Sequence, residues 1–368
     1  MIKTIIICLK YAPGNWQHMY SFVNSLRKSN NNVRLLISKY FIWMNKEYSN
    51  MTDYVTTSSA FANILKDIII FFLYKWNYYA NYFERYKPMI VLFVMWHPLN
   101  YYLAKIVKRL SPETKICCWM HEPYKTDKSQ YRNKIFQILA IEYLQSMYVP
   151  MIDVVILHSQ RALESFNLKY PQYRGKVKVI PLLFADECKK STSAAREYDI
   201  TFIGNAVKAK GIEGLFRLIK YNHELNMGLK IQLVTSSHIH YYLGNLVSGY
   251  EKYLAVINKP YISDGEIREA CKRSYSVIVP YKETTQSGVV PVAFMCGTPV
   301  IGTDVEGLTE CITDKKDGMI IPVDYSCKDV DYAVKYIKSN FYRLSQNARK
   351  KYKDTWDDSN WNKYYNWL

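Results

Sequence analysis

Strand-like apolar runs alternate with helical patterns along this chain, and that alternation constrains the fold more than any other feature. Residues 4–9, 33–37, 89–94, 115–119, 154–157 and 177–180 are rich in Ile, Val and Leu with little polar alternation. Strands covered on both faces of a parallel sheet read this way. Helical patterns lie between several of them, at 17–27, 100–110 and 159–166. The pattern lapses over the polar stretch Asp186-Glu187-Cys188-Lys189-Lys190-Ser191-Thr192-Ser193, which suits a linker. It then restarts, with strands expected at 200–203, 230–234, 276–279, 299–302 and 319–321 and helices at 212–221, 266–272 and 289–294. Two doubly wound α/β domains are expected, over 1–185 and 196–355. At about 100–200 residues per domain, the 368-residue length agrees. Open α/β sheets bind ligands at the carboxyl ends of their strands, and domain interfaces favour sites, so a cleft between two such edges is expected to hold the active site.

Forty-nine Lys and Arg against 32 Asp and Glu give a net charge of +17, which predicts an anionic partner: nucleic acid, a membrane surface or a phosphorylated substrate. A merely basic, Lys-, Asn-, Ile- and Tyr-rich composition is the plainer alternative. No recognition helix, zinc finger or RNP pattern supports nucleic acid. The eight cysteines form no Cys-x-x-Cys pair and sit mostly in apolar runs, so they read as reduced thiols of a cytoplasmic protein. The longest apolar stretch, 64–74, is broken by Lys66 and Asp67 and falls short of the ~20 residues of a membrane span. Peripheral contact with an anionic membrane is the expectation, with Tyr74, Trp76, Tyr78, Tyr79 and Tyr82 near Arg85 and Lys87. A solvated face would read the same way.

Loop chemistry concentrates in the second half. Pro280-Tyr281-Lys282-Glu283-Thr284-Thr285-Gln286-Ser287-Gly288-Val289 follows one expected strand and opens a helix. The N–H groups of Ser287, Gly288 and Val289 would form an anion site suited to a diphosphate, and Glu283 could accept from sugar or ribose hydroxyls. An ordinary strand-to-helix loop remains the alternative. Gly302-Thr303-Asp304-Val305-Glu306-Gly307-Leu308-Thr309-Glu310 is a second such junction, where Gly307 could admit a ligand and Glu310 face a hydroxyl. No Asp-x-Asp and no His, Cys and carboxylate set at ligand spacing is present, so no metal site is expected.

These segments resemble the retaining glycosyltransferases of the family 4 type, which have the GT-B fold of two Rossmann-like domains facing across a cleft. Ser287-Gly288-Val289, Cys296-Gly297-Thr298-Pro299-Val300-Ile301, Gly307-Leu308-Thr309-Glu310 and Asp317-Gly318-Met319-Ile320-Ile321-Pro322 carry the likeness. It extends loosely over 198–282 and faintly over the first domain. It implies a sugar-nucleotide donor, with no separate cofactor, held by Asn205, Lys210, Gln286, Ser287, Gly288, Val289 and Glu310, and by Gly14 and Asn15 after the first strand. Glu283 would take the role of the family's first glutamate and His121, in His121-Glu122-Pro123, that of its catalytic histidine. Trp96 and His97 would line an acceptor site, and a C-terminal helix at 356–368 would pack back on the first domain. Two departures stand out: Val292 occupies the position of the second glutamate, and Asn205 that of a phosphate-binding Arg. The resemblance implies transfer with retention to a glycan acceptor, lipid-diphosphate-linked as in bacterial surface polysaccharide assembly, on the inner face of the plasma membrane. A non-catalytic sugar-nucleotide binder and a sugar-nucleotide epimerase are the alternatives.

Overall fold

Each apolar run becomes a strand of one of two parallel sheets. The computed structural model describes residues 3–10, 16–29, 31–57, 64–121, 123, 135–189, 195–244, 246 and 249–364. Two compact units result, one of Met1–Leu183 with Trp361–Leu368, the other of Phe184–Asn360.

The first unit runs β1 (Thr4–Cys8), α1 (Trp16–Lys28), β2 (Val33–Ser38), β3 (Thr52–Val55), α2 (Ile64–Ile70), a π turn (Phe71–Lys75) and α3 (Trp76–Tyr86). It continues through β4 (Ile90–Val94), α4 (Leu99–Leu110), β5 (Lys115–Trp119), α5 (Ile135–Tyr148), β6 (Val154–Leu157), α6 (Gln160–Lys169) and β7 (Lys176–Val179). Its strands pair in parallel in the order β3-β2-β1-β4-β5-β6-β7. Side chains alternate across the pleat. Ile5 and Ile7 of β1 enter one buried cluster with Phe93, Leu103 and Phe166, while Ile6 and Cys8 enter the opposite one with Phe22, Trp119 and Trp361. A strand that is apolar at every position is what a sheet covered on both faces requires.

The second unit runs β8 (Tyr198–Ile203), α7 (Ile212–Glu224), β9 (Ile231–Thr235), α8 (His240–Gly244), β10 (Leu254–Asn258), α9 (Asp264–Lys272) and β11 (Ser274–Val279). It ends with α10 (Val289–Met295), β12 (Val300–Thr303), α11 (Glu306–Thr309), β13 (Gly318–Ile321), α12 (Cys327–Ser339) and α13 (Phe341–Thr355). The parallel order is β10-β9-β8-β11-β12-β13. Ser263 and Ser326 start α9 and α12 with full capping boxes, each side chain accepting from the third helical N–H while Glu266 and Asp329 accept in return.

The segment expected as a linker begins inside the second unit. The Phe184 N–H donates to Trp356 O at 2.8 Å, and the Tyr352 hydroxyl donates to Phe184 O at 2.8 Å. Asp186 accepts from Arg349 at 2.6 Å and from the Cys188 N–H at 3.0 Å, and also pairs with Lys353. Burial pushes the Asp186 carboxyl up, but these hydrogen bonds outweigh it and hold it at about 2. At the C-terminus, Trp356 packs on Phe294 of α10, whereas Trp361 belongs to the first unit, where its indole N–H donates to the Ser21 hydroxyl at 2.9 Å. The segment Asp358–Lys363 is a 3-10 turn, not a longer helix.

Candidate active site

In the second unit the strand order reverses at the β8–β11 boundary, with β9 and β10 lying to one side and β12 and β13 to the other. Open α/β sheets bind ligands at such a switch point, outside the carboxyl ends of the strands. The loops leaving β8 and β11 meet there. The Lys282 N–H donates to Ala209 O at 2.9 Å. Gly211, at φ +70°, lies so close to Pro280 that an added Cβ would sit 1.8 Å from its carbonyl oxygen. Only glycine satisfies both the left-handed backbone and that approach.

Lys210 sits in this junction. Its ammonium lies 5.4 Å from the Tyr281 ring centroid and 3.3 Å from where a Gly204 Cβ would be. Gly204 thus leaves the room the ammonium occupies, and Tyr281, itself buried, supplies a π face beneath it. The neighbouring cations are engaged elsewhere: Lys208 and Lys282 both reach Glu213, at 3.3 and 3.4 Å. Among the described residues no ion pair with an acidic side chain ties down Lys210. Lys208, the nearby cation that could stand in for the Arg that Asn205 replaces, is oriented toward Glu213. Asn205 is exposed in the same loop, and its carbonyl accepts from the Val207 N–H at 3.1 Å.

The β11 loop is braced from within. The Gln286 N–H donates to the Thr284 hydroxyl at 3.2 Å, and the Val289 N–H to the buried Ser287 hydroxyl at 3.3 Å. Glu283 and Gly288 are exposed, and nothing lies within 4 Å of a Cβ built on Gly288. The start of α10 is therefore open at the position expected to approach a ligand. Val292, where the family has a glutamate, is half-buried within α10.

The β12 loop lies alongside. The Thr303 hydroxyl donates to Tyr281 O, and the Gly307 Cα stands so near the β11 loop that an added Cβ would be 2.3 Å from Thr284 O. Gly307 thus admits a neighbouring backbone, not a ligand, which corrects the reading of this glycine from sequence. Glu310 caps α11 and is exposed. Tyr281, Thr284, Thr303 and Gly204 are the supporting residues that sequence inspection passed over. For Gly204 and Tyr281 the available signal was a position just after a strand; Thr303 ends β12 and Thr284 lies within the β11 loop.

In the first unit the strand order reverses at β1–β4. Gly14 and Asn15, expected at that point, lie outside the described residues, as does Glu122. His121 follows β5 and His158 follows β6; their rings are 4.6 Å apart, and His18 of α1 lies 5.2 Å from His158. Sequence inspection singled out only His121, although His158 carries the same signal, a polar residue directly after a buried strand. Burial lowers all three ring pKa values, that of His158 to about 4 despite its 2.8 Å bond to Ile180 O. Trp96 packs on Tyr148 at 5.1 Å, and His97, only 3 % exposed, accepts from the Leu99 N–H at 3.2 Å. Burial, then the charge of Lys10, brings His97 to about 4. That burial leaves little of His97 for an acceptor to touch.

These histidines are neutral when folded and charge more readily when unfolded, from about pH 6.5 downward. The unfolded state therefore binds more protons between about 6.5 and 4, and stability must fall as pH falls through that window while staying level above it. Protection factors of amides in α1 and β6, which allow for the slower intrinsic exchange at lower pH, should drop from pH 7 to 5. A protection factor unchanged over that interval would show that the rings charge freely in the fold.

Residues 184–354 match the family model described as glycosyl transferases group 1. Sucrose-phosphate synthase from Thermosynechococcus elongatus superposes with a TM-score of 0.74 at 15% identity, covering 100% of this chain and 99% of that one. HepE of Anabaena, solved with UDP-glucose, gives 0.71 at 12% identity over 99% and 98% of the two chains. The pneumococcal O-GlcNAc transferase GtfA, solved with UDP and GlcNAc, gives 0.68 at 10% identity over 98% of each. No curated protein matches the chain in sequence. The fold is thus GT-B, and the protein is by class a transferase. More particularly, the likeness to glycosyl transferases group 1 lies in residues 184–354, within its second unit.

Proposed function

We propose that this protein is a retaining glycosyltransferase that moves a sugar from a nucleotide-diphosphate donor to a glycan acceptor. The observation that carries the reading is the junction of the β8 and β11 loops, where Lys210 stands on Tyr281, at one end of the loop whose other end is the open start of α10. A diphosphate there would meet one ammonium and the N–H groups of Ser287 and Gly288, with that of Val289 exchanging its 3.3 Å bond to the Ser287 hydroxyl for the ligand, the donors that stabilise a leaving group's developing charge. Glu283, Gln286 and Glu310 would orient sugar and ribose hydroxyls, with Asn205 contributing in place of an Arg. Charge neutralisation by these groups suits metal-independent transfer. The solved proteins of similar fold that hold UDP or a UDP-sugar favour a uridine donor.

In the first unit, His121 would act near the transferred sugar, its neutral ring able to accept or donate a hydrogen bond at pH 7. The acceptor we propose is lipid-diphosphate-linked, as in surface polysaccharide assembly, with the protein working peripherally at the inner face of the plasma membrane. No helix among the described residues is long and apolar enough to cross a bilayer.

Melting the protein against UDP-, GDP- and ADP-sugars tests the donor assignment. A donor present at 100 times its dissociation constant should stabilise the fold by about 2.7 kcal/mol. Product analysis with and without acceptor then separates transfer from epimerisation and from binding without turnover. The donor reading is wrong if no nucleotide sugar shifts the melt.

A further inference from the structure

The aromatic residues that cluster with lysines after residue 65 divide, in the fold, into those that pack and those that do not. Tyr79 and Tyr82 are core residues, and Tyr79 stacks on buried Phe71 at 5.5 Å. Ile69, Phe72, Leu73, Tyr74 and Tyr78 remain exposed, Leu73 by 66% and Tyr74 by 78%. The cause is local. The π turn Phe71–Lys75 inserts one residue between α2 and α3 and shifts the helical register, so Phe71 turns inward while three consecutive large side chains face outward. The ridge is held firmly: Phe72 stacks on Trp76 at 5.8 Å and meets the edge of Tyr102 on α4 at 4.9 Å. A contiguous exposed apolar patch of this kind marks an interaction surface.

Cations flank it. Lys66 is exposed one turn before Ile69, and on α4 the Lys105 ammonium lies over the Tyr101 ring, 5.1 Å from its centroid. Lys75, at the end of the π turn, reaches Thr56 O at 3.4 Å. An apolar ridge rimmed by lysines, on a chain of net charge +17, is complementary to a surface that is greasy within and anionic outside. A second copy of this chain is a poorer fit, because its own lysines would meet these across the contact.

We propose that this ridge docks the first unit on an anionic lipid bilayer, with Ile69, Phe72, Leu73 and Tyr74 entering the headgroup–acyl boundary and Lys66 and Lys105 against lipid phosphates. This goes with the membrane-borne acceptor proposed above, yet its test is binding alone, so the two can fail separately. The full chain is sedimented with phosphatidylglycerol-containing vesicles and with pure phosphatidylcholine vesicles. Binding should be roughly tenfold or more tighter to the anionic vesicles, and Leu73→Ser/Tyr74→Ser should weaken it by about as much again. Both substituted side chains are largely exposed, so the melting temperature and nucleotide binding should not move. Equal pelleting of parent and double variant overturns the proposal. So does light scattering that shows a parent dimer which the double variant dissociates, since the ridge would then be a self-association surface. A failed donor assay with intact vesicle binding would count against the transferase reading alone.

Discussion

Lys210→Ala should bind a nucleoside diphosphate about 10- to 150-fold more weakly than the parent while binding the nucleoside alone unchanged, a loss of about 1.5–3 kcal/mol for one charge-assisted hydrogen bond. The expectation rests on three features. The ammonium stands at the strand-order reversal of the second sheet, where ligands of such sheets bind. Its two lysine neighbours are committed to Glu213. Its own contact is the Tyr281 ring, which orients the charge without neutralising it. Removing the side chain takes away no buried ion pair, so the fold should persist, and a melting curve checks that. Calorimetric titration with UDP and with uridine is the measurement. Equal affinity of parent and variant for UDP would remove Lys210 from the donor site. Parallel loss for uridine and UDP would mean that the substitution had disturbed the loop as a whole.

Gly211→Ala should be the more damaging change to the fold. A left-handed backbone costs a residue with a Cβ about 1–2 kcal/mol, and the new methyl would overlap the Pro280 carbonyl, whose oxygen lies 1.8 Å from the Cβ position. Overpacking of that kind adds typically about 1–3 kcal/mol. Because the obstacle is backbone, relief must come from separating the β8 and β11 loops, and the 2.9 Å bond from Lys282 N–H to Ala209 O should break with them. The second unit's melting transition should fall by roughly 4–20 °C, at about 2–4 °C per kcal/mol for a unit of this size. Gly228→Ala is the control. That glycine also has positive φ, at +77°, but nothing lies within 4 Å of its Cβ position, so only the backbone cost should appear. If the two variants melt alike, the close approach of Gly211 to Pro280 does not carry the effect.

The parts of the fold that sequence inspection passed over have separate physical reasons. Thr52–Val55, the strand β3, gave no apolar run, and it is an outermost strand of its sheet; Leu254–Asn258, the outermost strand β10 of the other sheet, is apolar at four of its five positions and was simply passed over. An edge strand is covered less, so in β3 half of the positions, Thr52 and Asp53, are polar and the buried-strand signature fades. The reading of Tyr79 and Tyr82 as surface aromatics failed for a different reason. Which side of α3 faces the core depends on the one-residue shift of the π turn before it, and composition does not reveal that shift. Gly307 was legible as a position that needs a glycine, but what approaches it is the Thr284 backbone, which only assembly of the β11 and β12 loops brings near.

The sequence by itself determined the two parallel sheets, because a strand buried on both faces must be apolar throughout, and it determined that polar, glycine-bearing loops follow those strands. It also marked Lys210, Glu283, Ser287 and Gly288 as residues able to meet a phosphate or a hydroxyl. What it could not determine was which loops lie side by side. Strand order arises from pairing between segments far apart in the chain, and no local pattern encodes the choice of partner. The tertiary structure made that choice by setting β11 between β8 and β12. That brought Lys210, the open start of α10 and the Gly307 turn to one edge of the second sheet, and it set the histidines after β5 and β6 within 4.6 Å of each other in the first unit.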